Sequence, residues 1–150
     1  MPIPVAMFAG DPPAIPKVLW QREIPARLSL KDTVMEDLDG EMTRRGLISD
    51  EDRHWLLLCL DEALVNAILH GNEADDTYPV KITLGLIDGR WVIRIDDQGH
   101  GFALDSIPDQ EAEDSLFLEH GRGIRLMREW LEELHYWRGG ATLWMSRGIP

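Results

Sequence analysis

Two alternating apolar segments joined by Asp88-Gly89 most strongly constrain the fold of this chain. In residues 80–87, apolar side chains alternate with small or polar ones, and residues 91–95 return with a similar pattern. Such alternation is typical of strands buried on one face, and Asp-Gly is a strong signal for a two-residue hairpin turn. The sequence therefore predicts an antiparallel strand pair in the middle of the chain.

A helical apolar period precedes this pair twice. The first predicted helix begins after Ser29, a suitable N-cap, and ends near Gly46, where a left-handed residue closes a helix. Its apolar stripe consists of Leu30, Val34, Leu38 and Met42. In the second helix, Ser49 and Asp52 resemble a capping box, and the helix is expected to run to about His70 and stop at Gly71. Its sheet-facing side is expected to comprise Leu57, Leu60, Leu64, Ala67 and Ile68.

Further elements are predicted at both ends of the chain. Residues 20–28 alternate enough to form a first strand, and a final hairpin is expected to turn at Gly139-Gly140 and end in residues 141–146. A third helix should begin near Arg122, with a stripe formed by Ile124, Leu126, Met127, Trp130, Leu131 and Leu134. The predicted class is α+β: a two-layer sandwich with helices on one face of a mixed, mostly antiparallel sheet.

The length of 150 residues indicates one domain, which we expect to span residues 17–150. Residues 1–16 should form an N-terminal arm, because they contain Pro2, Pro4, Pro12, Pro13 and Pro16, which favour extended backbone. The apolar stretch in the arm lacks a preceding basic residue and is too short to cross a bilayer, so neither a signal peptide nor a membrane span is indicated. We expect a cytoplasmic protein.

Charge and cysteine content exclude several functions. The formal net charge of −12 disfavours direct binding to DNA or RNA, which requires basic side chains against phosphates. Cys59 is the sole cysteine, so an intrachain disulfide and a cysteine-based zinc cluster are excluded, and we expect a buried structural thiol.

The second predicted helix carries Glu62 and Asn66 one turn apart, on the same helix face. A glutamate there can accept a proton as a general base, and the amide oxygen of an asparagine can bind a hard cation such as Mg²⁺. Taken by themselves, such residues more often form a solvated face.

Two glycine-containing motifs follow in order. Asp97-x-Gly99-x-Gly101 comes after the predicted strand, and Gly121-x-Gly123 opens the third helix. Glycine allows the backbone to approach a ligand, and the first N–H groups of a helix are donors for anions. Each motif is weak by itself, but the ordered set of three is much less frequent by chance. Asp61 and Asp96 adjoin two of these residues and are expected to be structural, because a shift of one residue points the side chain elsewhere.

This ordered set resembles the Bergerat-type (GHKL) ATP-binding fold of gyrase B, Hsp90, histidine kinases and MutL. Within that superfamily it is most similar to the anti-sigma-factor serine kinases of bacterial partner-switching systems. The helix motif of that group, Glu-Ala-x-x-Asn-Ala-x-x-His-Gly, is present here as residues 62–71. The resemblance covers about residues 20–147.

The resemblance implies roles for particular residues. Glu62 would be the general base, and Asn66 would bind Mg²⁺ at the triphosphate of ATP. Asp97 would accept the adenine amino proton, while Gly99 and Gly101 would let the lid approach the nucleotide. The phosphates would be contacted by backbone donors at Gly121 and Gly123, and by Arg122, for which a solvent-facing position is an equal alternative.

Two positions depart from the family pattern. Ala141 stands where relatives usually have a threonine directly after the glycine, so Thr142 is the remaining candidate for that adenine-site contact. Adjacent strand residues face opposite sides of a sheet, which works against this substitution. Glu119 lies where relatives can carry a basic lid residue.

The function that the resemblance implies is an ATP- and Mg²⁺-dependent protein-serine kinase that binds a sigma factor and phosphorylates a small STAS-type anti-sigma-factor antagonist. A homodimer is also expected from the resemblance. The departures leave open a second function, an ATP-binding regulatory module that sequesters a partner without phosphoryl transfer. The catalytic domain of a sensor histidine kinase ranks third, because the first helix and the arm contain no suitable phospho-accepting histidine.

Overall fold

A mixed sheet forms one layer of the protein, and helices cover one of its faces. The computed structural model describes residues 2–71, 75–99 and 121–150. Its strands are β1 (Ala6–Met7), β2 (Lys17–Pro25), β3 (Pro79–Ile87), β4 (Arg90–Asp96), β5 (Glu133–Trp137) and β6 (Thr142–Gly148). They lie in the order β1-β5-β6-β4-β3-β2, in which β1 and β5 are parallel and the other neighbouring pairs are antiparallel. The predicted α+β class with a mostly antiparallel sheet is confirmed.

The central hairpin has the predicted turn. Ile87 pairs with Arg90, and the two residues between them, Asp88 and Gly89, have φ values of 50° and 78°. Two consecutive positive φ values define the type I′ geometry, whose twist matches that of the flanking strands. The Asp-Gly pair therefore sets the register of β3 against β4.

The helical layer consists of α1 (Lys31–Arg44), α2 (Arg53–Val65) and α3 (Gly121–Trp130). The predicted caps of the first two helices are wrong, because neither Ser29 nor Ser49 caps a helix with its side chain. A 3₁₀ turn precedes each helix instead, at Leu28–Leu30 and Asp50–Asp52. Backbone carbonyls in these turns accept the N–H groups that a capping side chain would otherwise satisfy. The predicted left-handed residue at Gly46 is confirmed, with φ of 69°.

Two other predicted boundaries need correction. The first long strand is Lys17–Pro25 rather than residues 20–28, and Leu28 is 45% exposed in the turn that follows. The third helix ends at Trp130, and Leu134 belongs to β5 although it continues the helical apolar period. In each case apolar spacing continued past the point at which the backbone changes direction.

The core lies between the sheet and the helices. Val34, Leu38 and Met42 of α1 are buried as predicted, and Cys59 is a buried thiol whose pKa burial raises to about 12. On α2 the buried face includes Leu56, Leu60 and Leu64, whereas the predicted Leu57 is only half-buried. None of the helices in the described ranges has the length and apolar character needed to span a membrane.

The N-terminal segment lies against the edge and one face of the sheet. Ala6 and Met7 pair with His135 and Tyr136 of β5. Farther along, Ile15 lies so close to Gly85 that a Cβ atom on Gly85 would be 2.2 Å from the Ile15 Cγ2 atom and 2.7 Å from the Lys17 carbonyl oxygen. Gly85 therefore lets residues 15–17 pack directly on β3.

This close approach predicts that Gly85→Ala destabilises the fold. Because the added methyl group meets backbone as well as a side chain, we expect the free energy of unfolding to fall by about 1–3 kcal/mol, measured by urea denaturation. Gly10→Ala is the matched control, since no atom lies within 4 Å of the added Cβ position there. Equal stability of the two variants would contradict the packing of residues 15–17 on β3.

Candidate functional site

Glu62 lies on the buried side of α2, with 7% of its surface exposed. Its Oε1 atom accepts no hydrogen bond from any described residue. Burial raises the pKa of Glu62 to about 7, a hydrogen bond with the Asn66 side chain opposes the rise, and the charge of Asp61 adds to it. A carboxyl group with a pKa near 7 and an unoccupied oxygen is suited to general acid–base chemistry.

Asn66 marks a change in the helix itself. The α-helix ends at Val65, and residues Asn66–Gly71 form a π-helix, which corrects the prediction of one regular helix to His70. Short π-helical segments are rare and occur frequently at functional sites. Because an ionised carboxylate can only accept, the amide NH₂ group of Asn66 is the donor when Glu62 is ionised. The amide oxygen of Asn66 is then the atom that remains for a cation.

Asp97 follows β4 and lies against the end of the π-helix. Its carboxyl group is so close to Gly71 that a Cβ atom there would be 2.3 Å from the Asp97 Oδ2 atom. The N–H group of Gly99 donates to the Asp97 Oδ1 atom at 2.7 Å, and a Cβ on Gly99 would be 2.2 Å from the Gly71 carbonyl oxygen. Both glycines are therefore required by this contact, which brings the helix motif and the Asp97 motif together.

The Asp97 carboxyl group is 7% exposed. Burial raises its pKa to about 6, with a smaller contribution in the same direction from Asp96. The hydrogen bond from Gly99 and the positive charge of Arg138 act in the opposite direction. Asp97 is therefore ionised at neutral pH, but its charge is held at a cost in stability.

The acidic neighbours of these residues face elsewhere, as expected. Asp61 forms an ion pair with Lys31 of α1. Asp96 accepts two hydrogen bonds from Arg94, at 2.8 and 3.1 Å, and one from the Thr142 hydroxyl group at 2.6 Å. The side chain of Thr142 is fully buried in this network. Its predicted contact with adenine stays a prediction.

Ala141, which precedes β6, lies opposite Asp97, which follows β4, because the Asp97 N–H group donates to the Ala141 carbonyl oxygen at 2.9 Å. The remaining predicted site residues are only partly covered by the structure. Gly121, Arg122 and Gly123 form the start of α3, which packs against α2. Gly101 and Glu119 lie outside the described residues, and their predicted roles stay predictions.

The side chains at this site are better suited to bind Mg²⁺ together with a nucleotide than to hold a metal ion without one. The described part of the chain contains no group of three or more histidine, cysteine, aspartate or glutamate side chains that could hold a metal. Mg²⁺ commonly takes one or two protein oxygens and obtains the rest from phosphates and water. The amide oxygen of Asn66, whose side chain bonds Glu62, can supply one such oxygen.

Sequence reasoning missed two features of the site. From the sequence, Gly71 is predicted only to end the helix, although its position in the helix motif also indicates close packing. Arg138 was not singled out at all. It has φ of 54°, unusual for a residue other than glycine, and no spacing in the sequence indicates that its charge acts on Asp97.

A two-layer fold in which a helix carries a Glu–Asn pair and contacts a buried aspartate at its end is typical of the Bergerat class. Residues 24–147 match the family model described as histidine kinase-like ATPase domain, and the chain belongs to this family. The predicted superfamily is thus confirmed. No curated protein is significantly similar to the chain.

The buried charge of Asp97 predicts an unusual stability effect. The folded pKa of about 6 lies above the ordinary value of 3.8, so stability is lost as the pH rises from 4 through 6. Asp97→Asn removes this charge and keeps an acceptor for Gly99. We expect it to raise the free energy of unfolding by about 1–3 kcal/mol at pH 7.5 and by much less at pH 4.5, in urea denaturation. Equal destabilisation at both pH values would contradict the assigned pKa.

Proposed function

We propose that this protein is an ATP- and Mg²⁺-dependent protein-serine kinase of a bacterial partner-switching system. Its substrate would be a serine of a STAS-type anti-sigma-factor antagonist, and its second partner would be a sigma factor. Family membership supports binding of ATP. The match of residues 62–71 to the helix motif of the anti-sigma-factor kinases supports the narrower assignment.

The observation that carries the kinase proposal is the buried Glu62 carboxyl group with its raised pKa. Its Oε1 atom is buried without a hydrogen-bond partner among the described residues, and its pKa of about 7 suits proton transfer at neutral pH. In the transfer, the serine oxygen forms a bond to the γ-phosphorus as the bond to the β–γ bridging oxygen breaks. Glu62 takes the serine proton, and ADP carries the electron pair of the broken bond.

Asn66 would bind the Mg²⁺ that accompanies ATP, and that ion would neutralise charge on the phosphates during transfer. The Asn66 amide keeps its NH₂ group on Glu62, so one side chain would hold the base and the metal at a fixed separation. Backbone N–H groups at the start of α3 would add donors to the phosphates.

Asp97 would select adenine. An ionised carboxylate accepts the proton of the exocyclic amine, a donor that guanine lacks at the equivalent ring position. Because Asp97 is buried, leaving its carboxylate without this partner would be costly, which favours ATP over GTP.

Ala141 favours a second candidate function, an ATP-binding module that sequesters its partner without transferring phosphate. It lies opposite Asp97 and has no hydroxyl group to assist adenine binding. In that function Glu62 would bond Asn66 without acting as a base.

Replacing Glu62 distinguishes these two functions. For Glu62→Gln we expect phosphoserine formation on a STAS-type antagonist to fall by about 10²-fold or more, because the general base is lost. Nucleotide affinity should stay close to that of the wild type. Radiolabelled ATP and isothermal titration calorimetry measure the two quantities.

Asp61→Asn is the matched control, since it removes the neighbouring carboxylate that pairs with Lys31, and we expect an effect within about twofold. If wild-type protein binds ATP and the antagonist but forms no phosphoserine, the kinase proposal is wrong. The sequestering module then remains.

Adenine recognition by Asp97 predicts a pH dependence of binding. Since the carboxyl group has a pKa of about 6, ADP affinity should fall about tenfold between pH 7.5 and pH 5 as Asp97 becomes protonated. Asp97→Asn has no carboxyl group at this position, so any change of its ADP affinity with pH comes from titration of ADP itself. We expect its affinity to fall less than that of the wild type. A wild-type profile that matches this variant would contradict the role of Asp97.

A further inference from the structure

The turn between β5 and β6 has an unusual backbone. Arg138, Gly139 and Gly140 have φ values of 54°, 69° and 110°, so three consecutive residues lie at positive φ. Glycine adopts such values readily, but a residue with a Cβ atom adopts them only where the surrounding structure holds it. Something outside the turn must therefore keep Arg138 in this conformation.

The N-terminal segment (residues 3–10) provides that support. The Arg138 N–H group donates to the Gly10 carbonyl oxygen at 2.8 Å, and the Gly139 N–H group donates to the Phe8 carbonyl oxygen at 3.0 Å. Phe8 also stacks on Trp137, the residue before the turn, with ring centroids 4.1 Å apart and planes inclined by 20°. Two successive backbone N–H groups of the turn thus donate hydrogen bonds to the N-terminal segment.

The same segment is fixed at its other end to α3. The Ile3 N–H group donates to the Arg128 carbonyl oxygen at 2.9 Å, and the Arg128 Nε atom donates back to the Ile3 carbonyl oxygen at 2.7 Å. Between these ends, β1 pairs with β5. The N-terminal segment therefore spans from the helix that begins with the candidate phosphate contacts to the turn beside Asp97.

The Arg138 side chain reaches the end of β4. Its Nη1 atom donates to the Asp96 Oδ1 atom and to the Thr142 hydroxyl group, both at 3.4 Å. Asp96 is thereby neutralised by two guanidinium groups, since Arg94 also pairs with it. Without that neutralisation, the charge of Asp96 would act fully on its neighbour Asp97.

The charged groups that act on Asp97 can be named element by element. Among the described residues, the β5–β6 turn contributes Arg138 and β4 contributes Asp96, while the end of the π-helix contributes Gly71, which has no side chain. The positive charge of Arg138 lowers the pKa of Asp97 and that of Asp96 raises it. Arg138 is therefore the described side chain that favours the ionised form of Asp97.

We propose that Arg138 is a positioning residue for the adenine-accepting carboxylate of Asp97, and that the N-terminal segment holds Arg138 in place for this role. The proposal rests on the proposed nucleotide-binding function. It makes residues 3–10, which precede the part of the chain matched by the family model, a structural part of the nucleotide site.

The test compares the ADP affinity of full-length variants at pH 6 and pH 8. Arg138→Gln removes the charge that favours ionised Asp97. We expect it to bind ADP about five- to tenfold more weakly than wild type at pH 6, but within about twofold at pH 8, where Asp97 is ionised in both proteins. Arg138→Lys keeps the charge and should stay within about twofold at both pH values.

Phe8→Ala tests the support by the N-terminal segment, because it removes the stacking on Trp137 without altering any charge. We expect the same pH-dependent loss, of about two- to fivefold at pH 6. Arg44→Gln is the matched control for loss of an arginine, since it lies on α1 with 67% of its side chain exposed. It should bind ADP as wild type does at both pH values.

A loss that is equal at pH 6 and pH 8 indicates a structural role only and would overturn the proposal, as would unchanged affinity of Arg138→Gln. If Arg138→Gln does not fold, Phe8→Ala decides by the same comparison. Wild-type protein that binds no ADP would contradict the proposed function itself, and this proposal would fall with it.

Discussion

The candidate site depends on one close approach, that of the Asp97 carboxyl group to Gly71. The absence of a Cβ atom at Gly71 and at Gly99 lets the end of the π-helix, the end of β4 and the following turn meet within contact distance. Glu62 and Asn66 lie farther back on the same helix, so this contact fixes their position relative to Asp97. The rest of the sheet and helical layer can be understood as the support that holds the two motifs at this separation.

This arrangement is maintained at an energetic cost. Glu62 and Asp97 are both buried, and burial raises the pKa of each carboxyl group toward neutrality. A fold selected only for stability would replace such groups by apolar or amide side chains. The core that α1, α2 and the sheet enclose offsets this cost, and the proposed roles of Glu62 in proton transfer and of Asp97 in adenine binding would account for it.

Local patterns in the sequence predicted much of the fold and the chain order of the site. The Asp88-Gly89 turn, the strand pair around it and the glycine at the end of α1 follow from backbone preferences of a few adjacent residues. The 3₁₀ turns before α1 and α2 and the π-helix after Val65 do not follow from such local preferences. The role of Arg138 could not be predicted from local sequence either, because its conformation depends on hydrogen bonds that join the turn to Gly10 and Phe8, near the start of the chain.

The most direct test of the central contact is the ADP affinity of Gly71→Ala, with Gly40→Ala as control. The added methyl group at Gly71 meets the Asp97 carboxyl group, whereas at Gly40, in the middle of α1, it meets only the flexible end of Arg44. We predict that Gly71→Ala remains folded by circular dichroism but binds ADP at least about tenfold more weakly, which corresponds to about 1.4 kcal/mol, and that Gly40→Ala binds as wild type does. Wild-type affinity in Gly71→Ala would contradict the account.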